Sequence, residues 1–196
     1  MRKTSTKVTI IIILVITAVV GYYSYLANRR LEIREEGIMS PVEITLTRDL
    51  SIDYPSTPKE VIKYYNQILK CLYNEDCSDE EIDSLGVQAR ALYDAELLQI
   101  NEFGSYMINL KAEVEDYKAH KRRISNCAVA ASTSVDKFTE DGYEFARISS
   151  GYTVLEGSQS KPTTIVYLLR RDEDKKWKIY GWDLAENVNL SQKTEE

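Results

Sequence analysis

The sequence predicts an α+β fold in which helices precede an antiparallel sheet. Apolar residues recur every three or four positions between residues 58 and 120, which is typical of amphipathic helices. Between residues 124 and 184 they alternate with polar residues, which is typical of strands. The chain has 196 residues, of which 43% are hydrophobic and 10% aromatic, so it contains enough apolar material for one packed domain. Helices that cover one face of such a meander are the expected arrangement.

The first segment of the chain predicts a membrane anchor. Residues 8–27 contain no charged side chain. A helix of this length spans roughly 30 Å, which matches the hydrocarbon thickness of a bilayer. Tyrosines at the C-terminal end suit the membrane interface, and Arg29 and Arg30 follow. The alternative is a cleaved signal peptide, but the bulky Tyr22 and Tyr23 stand where small residues are expected at a cleavage site.

The charges that flank the apolar run predict its orientation in the cell membrane. Residues 1–7 carry three cations and no acid, and a short cationic tail before a first apolar helix usually stays cytoplasmic. The rest of the chain is acidic, since the whole has 25 Lys and Arg against 31 Asp and Glu, which argues against nucleic-acid binding. We expect five segments: a cytoplasmic tail at 1–7, a single-pass anchor at 8–27, a connector at 28–57, an extracytoplasmic domain at 58–187 and a polar tail at 188–196.

Three helices are predicted in this domain. Thr57–Glu60 has the pattern of a capping box with proline at the first helical position, and Ser78–Glu81 has the pattern of a second capping box. The second helix is expected to break near Tyr93 and to resume over residues 96–100. A third helix is predicted over residues 102–120 from its stripe of apolar side chains.

Four strands are predicted after the helices, and one short strand before them. In the connector, Val42–Leu46 alternates apolar and polar residues, so this segment is expected to be extended. The four later strands are bounded by polar turns. They are Ile124–Ser132, Tyr143–Leu155, Thr163–Arg171 and Lys176–Leu184.

Two resemblances give this pattern a more specific meaning. The closing strand Asp174–Trp182 resembles the last strand of the nuclear transport factor 2-like superfamily, in which a cone-shaped sheet curls around long helices. The segments Leu46–Leu50 (LTRDL), Tyr54–Tyr65 (YPSTPKEVIKYY) and Gln88–Leu92 (QARAL) resemble a bacterial family of single-pass membrane proteins of unknown function. That resemblance covers nearly all of residues 45–185. It implies a transmembrane helix followed by three helices on a curved, antiparallel, four-stranded, cystatin-like sheet, and it implies no catalytic residue.

Residues with the pattern of a catalytic or metal site are scarce. His120 is the only histidine, and it lies in a cationic cluster at a helix end, where the helix dipole favours positive charge. We therefore predict no histidine-based metal site, no catalytic triad and no cofactor. The acidic run at 75–83 lacks the spacing of a calcium loop. Glu144 and Asp183 lie at strand ends without an evident partner.

The cysteines leave two alternatives open. Cys71 and Cys77 flank a predicted helix end, so they are either two thiols or a disulfide that closes a short loop. Such a disulfide would add little stability, because short loops lose little entropy on closure. Cys127 is expected to be a small buried side chain on a strand.

Aromatic side chains on the strands give the candidate binding surface. One alternation set should pack against the helices, and the other should line the mouth of a cone or face a partner, where Tyr and Trp are enriched. The candidate ligand or partner surface consists of Tyr152, Tyr167, Tyr180 and Trp182.

These observations favour a membrane-anchored, extracytoplasmic domain that binds an envelope protein or a small ligand, rather than an enzyme. Its partners would be the bilayer, through residues 8–27, and an envelope protein or a second copy of the chain. Two alternatives stay open. One is an oligomeric scaffold similar to the inner-membrane components of type IV secretion systems, and the other is an isomerase- or dehydratase-like enzyme with a pocket in the curved sheet.

Overall fold

The computed structural model describes residues 39–188, in which five helices precede five strands. The predicted anchor at residues 8–27 lies outside the described residues. Between residues 39 and 188 no helix is long and apolar enough to cross a bilayer. The helices are α1 (Pro41–Leu46), α2 (Pro58–Asn74), α3 (Asp79–Ala91), α4 (Ala95–Ile100) and α5 (Phe103–Ala119). The strands are β1 (Arg122–Val129), β2 (Asp136–Glu140), β3 (Tyr143–Glu156), β4 (Gln159–Arg171) and β5 (Trp177–Leu184).

The segment that was expected to be a short strand in the connector is the helix α1, so that prediction is wrong. A strand would place Val42, Ile44 and Leu46 on one face, but Val42 is buried and Ile44 is 52% exposed. In the helix, Val42 and Thr45 are three residues apart and share the buried face. A segment of five residues is too short to distinguish the helical period of 3.6 residues from the strand period of two residues. The folded unit therefore begins at Pro41, inside the predicted connector.

The longer helices begin where their capping residues predict. The Thr57 hydroxyl accepts a hydrogen bond from the Glu60 N–H at 3.2 Å, although the Glu60 carboxylate bonds to Ser56 rather than returning to Thr57. At α3 the capping box is complete, because Ser78 and Glu81 bond to each other in both directions. The predicted break near Tyr93 is also confirmed, since α3 ends at Ala91 and α4 begins at Ala95.

The sheet is antiparallel and has five strands instead of the four predicted. Its order is β1-β3-β4-β5, and β2 pairs with the other end of β3 on the same edge as β1. The additional strand β2 joins β3 through Asp141 and Gly142, whose φ angles of 50° and 82° form the tight turn that glycine favours. The bulges at Ile124/Asn126 and at Leu168/Leu169 bend the strands and curve the sheet.

The core lies between α2 and one face of the sheet, which we call the inner face. Fully buried α2 side chains such as Ile62 and Ile68 pack with fully buried strand residues such as Leu169 and Ile179. The free edge of β5 is covered by the segment between α3 and α4. There the Asp94 N–H donates to the Ile179 carbonyl at 2.8 Å, and the Ile179 N–H donates to the Leu92 carbonyl at 2.8 Å.

Candidate functional site

The candidate site is an open groove of about 620 Å³ where α1, α2 and β1 meet. We call it the α1–α2–β1 groove. Its wall from α1 is apolar except for Thr45, its wall from α2 is mostly polar, and β1 supplies two small side chains. The lining residues are Pro41, Ile44, Thr45, Lys63, Asn66, Gln67, Lys70, Cys71, Asn74, Glu75, Cys127 and Val129.

Thr45 fastens α1 to α2 and thereby forms one wall of the groove. Its hydroxyl donates to the Pro41 carbonyl at 2.8 Å and accepts from the Gln67 amide at 2.8 Å, and the Cys71 Sγ lies 3.2 Å away. Its carbonyl accepts a hydrogen bond from the Tyr64 hydroxyl at 2.9 Å. A six-residue helix is too short to be stable alone, so these contacts hold α1 in place.

The α2 wall presents a polar stripe to solvent. Lys63, Gln67, Lys70 and Asn74 recur at intervals of four, three and four residues, so they share one face of the helix, and all four are exposed. At the C-terminal end of α2, the Asn74 side chain donates to the Ile124 carbonyl at 2.9 Å and accepts from the Ile124 N–H at 2.8 Å. This pair of bonds ties α2 to β1 and closes the groove at that end.

Asn66 connects the floor of the groove to the sheet. It is buried, and its amide nitrogen donates to the Ser150 hydroxyl at 2.9 Å. Its carbonyl oxygen accepts a hydrogen bond from the Tyr152 hydroxyl, which lies 2.6 Å from the Tyr167 hydroxyl. Within residues 39–188 every buried side-chain nitrogen or oxygen has a hydrogen-bond partner. The floor is therefore held by a complete polar network, which is the arrangement that makes a site rigid.

The structure separates the four aromatic residues predicted to form the binding surface. Tyr152 and Tyr167 are 6% and 1% exposed, so they belong to the core between α2 and the sheet. Trp182 is 45% exposed, and its ring contacts Tyr167 at 6.3 Å between centroids. Tyr180 lies on the outer face, where its hydroxyl donates to Glu96 at 2.8 Å. Only Trp182 and Tyr180 reach the surface, and they do so on opposite faces of the sheet.

Tyrosine rings fill the space between the inner face and the helices. The Tyr65 hydroxyl lies 3.0 Å from that of Tyr93, and the Tyr65 ring packs edge-on against Tyr167. Burial raises the pKa of Tyr65 and Tyr167 well above the ordinary tyrosine value, so both remain protonated hydrogen-bond donors. The candidate groove therefore lies beside this core and not inside the curve of the sheet.

All three cysteines are free thiols in the structure. The Cys77 thiol donates to the Cys71 carbonyl at 3.3 Å, and the Cys71 thiol faces Thr45. Burial raises the pKa of each thiol, that of Cys77 to about 11, so the reactive thiolate is disfavoured. Cys71 and Cys127 contribute small, weakly polar surface to the groove.

A cluster of charged side chains on the outer face fixes α4 against the sheet. The guanidinium of Arg170 bonds to both oxygens of Asp94, at 2.5 and 3.0 Å, and to Glu96 at 2.6 Å. Asp94 also caps α4 by accepting from the Glu96 N–H at 3.0 Å. The two carboxylates bind two sides of one planar guanidinium, so the role of this cluster is to hold α4 against the sheet.

The comparison with known families decides the identity of the chain at the level of family. A family model described as a domain of unknown function (DUF6715) matches residues 1–182. The chain belongs to this family. A search of curated proteins finds no significant match. The DUF6715 match includes the apolar run at residues 8–27 and every residue that lines the groove, and it confirms the resemblance to a family of unknown function.

The groove of this DUF6715 chain is not evident from its sequence. A signal was present on α2, where the polar stripe from Lys63 to Asn74 runs beside the buried Asn66. This stripe shows which face of the helix is exposed to solvent. It does not show that α1 and β1 stand beside that face, because those elements are distant in sequence. Among residues 39–188 no three His, Cys, Asp or Glu side chains are placed to hold a metal ion.

Proposed function

We propose that this DUF6715 protein is a single-pass membrane protein whose folded unit lies outside the cytoplasm and binds a ligand or partner through the α1–α2–β1 groove. The position of the groove carries this proposal. One wall is α1, the first helix of the folded unit, and only residues 28–40 separate α1 from the apolar run. Even fully extended, such a chain reaches at most about 50 Å. A tethered groove would therefore stay close to the membrane.

We also propose that the folded unit is a member of the nuclear transport factor 2-like superfamily. The order of the elements supports this assignment, because helices come first and an antiparallel meander of long strands follows. The bulges that curve β1 and the β4–β5 pair support it as well. The long helix α2 lies against the inner face of that curve, where the superfamily places its helices.

Side chains fill the space on the inner face of the curved sheet, and this favours a binding function over the isomerase or dehydratase alternative. Such an enzyme needs a carboxyl group of raised pKa inside an apolar pocket. In the described part of the chain, tyrosine rings occupy the inner face. The carboxyl groups whose pKa values depart from the ordinary value, such as Glu96 and Glu156, are shifted downward by hydrogen bonds and cationic neighbours. Glu96 and Glu156 accept hydrogen bonds in ion pairs, so they stay ionised and do not act as general acids.

Thiol labelling of two single variants tests the anchor and its orientation. Ser158→Cys places a thiol in the exposed turn between β3 and β4, and Ser5→Cys places one in the predicted cytoplasmic tail. In intact cells a membrane-impermeant maleimide should label Ser158→Cys above the parent chain, and Ser5→Cys only after lysis. The reverse pattern would refute the orientation. Recovery of the full-length chain in the soluble fraction would refute the anchor. The mass of the detergent-solubilised protein tests the oligomeric-scaffold alternative, which requires an oligomer and not a monomer.

A further inference from the structure

The α1–α2–β1 groove has the chemistry of a site for an anionic amphiphile. We infer that it takes an acidic phospholipid, with the phosphate head group between Lys63 and Lys70 and the apolar part against Ile44 and Val129. This inference rests on the proposed function, because it assigns a ligand class to the same groove. It depends on three features of the groove, which are its cations, its apolar wall and its distance from the membrane.

The two lysines supply the positive charge. Within residues 39–188 neither ammonium group lies within 4 Å of a carboxylate, although many other cations of the described chain are paired. They lie two turns apart on α2, about 10 Å along the axis, and long flexible stems let both ammonium groups approach one phosphate. They give this face of α2 a local positive charge, although the chain as a whole carries a formal charge of −6. The one carboxylate in the groove, Glu75, lies beyond Lys70 toward the closed end.

The opposite wall supplies an apolar surface, whose exposure to water is unfavourable. Ile44 is exposed on α1, and Pro41 and Val129 continue the apolar wall toward β1. A small inorganic anion would use only the lysines, and an uncharged chain would use only the apolar wall. A molecule with both parts uses the whole groove, and acidic phospholipids have both parts.

The attachment of the chain explains why a lipid is the favoured occupant. With the anchor in place, residues 28–40 limit the distance between α1 and the bilayer to about 50 Å at full extension. Tethering raises the effective concentration of lipid head groups near the groove, and lysines that come within about a Debye length of acidic lipid bind it electrostatically. An acidic peptide would also use the lysines, but it would leave the wall formed by Pro41 and Ile44 uncovered.

Protection of the groove-lining thiol Cys127 tests the inference on the full-length chain in a neutral detergent. Its rate of alkylation by iodoacetamide is followed by peptide mass spectrometry at pH 8.5. Dihexanoyl phosphatidylglycerol should slow the reaction at least five-fold. Dihexanoyl phosphatidylcholine, glycerol phosphate and a glutamate octapeptide at equal concentration should each slow it less than two-fold. If Cys127 reacts too slowly, Ile44→Cys on the opposite wall is read in the same way.

Matched lysine variants separate the groove from general charge. Lys63→Gln with Lys70→Gln should raise the half-protecting concentration of phosphatidylglycerol roughly 25-fold, since each lysine near an acidic lipid contributes about a five-fold factor. Lys59→Gln changes the same helix outside the groove and should shift it less than two-fold. Equal protection by phosphatidylcholine would make the site purely apolar, and equal protection by glycerol phosphate or by the peptide would make it a site for those ligands. Each of these results, or no protection at all, overturns the inference. None of them bears on the anchor, which the maleimide labelling tests.

Discussion

Replacement of Arg170 by methionine should strongly destabilise the folded unit. The Arg170 side chain is 12% exposed and that of Asp94 is 4% exposed, so the pair is largely removed from water. Without the guanidinium the Asp94 carboxylate stays buried and keeps only the capping hydrogen bond from Glu96. Loss of one partner of a buried ion pair costs about 3–5 kcal/mol, and the capping bond favours the lower end of that range.

The loss in the free energy of unfolding can be measured by urea and thermal unfolding of the full-length chain. Tryptophan fluorescence reports the transition, because both tryptophans lie in β5. For a domain of this size about 3 kcal/mol corresponds to a fall of roughly 6–12 °C in the midpoint. Arg147→Met breaks the exposed 3.4 Å pair with Asp136 and should cost less than about 1 kcal/mol. The double variant Asp94→Asn with Arg170→Met should regain part of the loss, because it leaves no unpaired buried charge. A loss below about 1 kcal/mol for Arg170→Met alone would show that the Arg170–Asp94 pair does not hold the folded unit together.

Three further predictions concern single buried or paired groups. Tyr152→Phe removes the hydroxyl that donates to Asn66, so urea unfolding should show a loss of about 1–3 kcal/mol for the unsatisfied amide oxygen. Burial raises the pKa of Cys77 to about 11, so its alkylation rate in the native protein should rise with a midpoint near pH 11. The stability that this protonated thiol contributes should be present below about pH 9 and lost as the pH rises toward 11. The bond from Arg170 lowers the pKa of Glu96, so its contribution should be present above about pH 4.5 and lost at lower pH. The Glu96→Gln variant should then unfold with a shallower dependence on acid pH than the parent chain.

The helices α2 and α3 could be predicted because their signals are local. Capping residues lie within four positions of each helix start, and the apolar stripe repeats over several turns. The strand β2 could not be predicted in this way, because Phe138 is the only apolar residue among its five. It exists because the tight turn at Asp141 and Gly142 folds it back onto β3. Its stability is therefore a property of the hairpin and not of its own composition.

The predicted aromatic surface could not be located from the sequence, because one bulge changes which residues share a face. Strict alternation along β5 puts Tyr180 and Trp182 on the same side of the sheet. The register shift between Leu168 and Leu169 inserts one extra residue, so Ile179 and Trp182 both face the helices and Tyr180 faces outward. The alternation of apolar and polar residues along a strand does not reveal such a shift. The four aromatic residues that were predicted to form one surface therefore do not share one.

The groove combines a hydrogen-bonded floor with two exposed lysines, Lys63 and Lys70, and this combination suits binding. Asn66 is fixed by bonds to the sheet, and Thr45 is fixed by bonds to both helices, so a ligand need not order them. The lysines at the rim keep their side-chain freedom until a ligand arrives. The entropy lost on binding is then limited to those few side chains, which is how a preformed site gains affinity. Asn66→Leu should therefore weaken ligand binding by loosening the floor even though Asn66 carries no charge, whereas the lysine variants should weaken binding without lowering the unfolding midpoint.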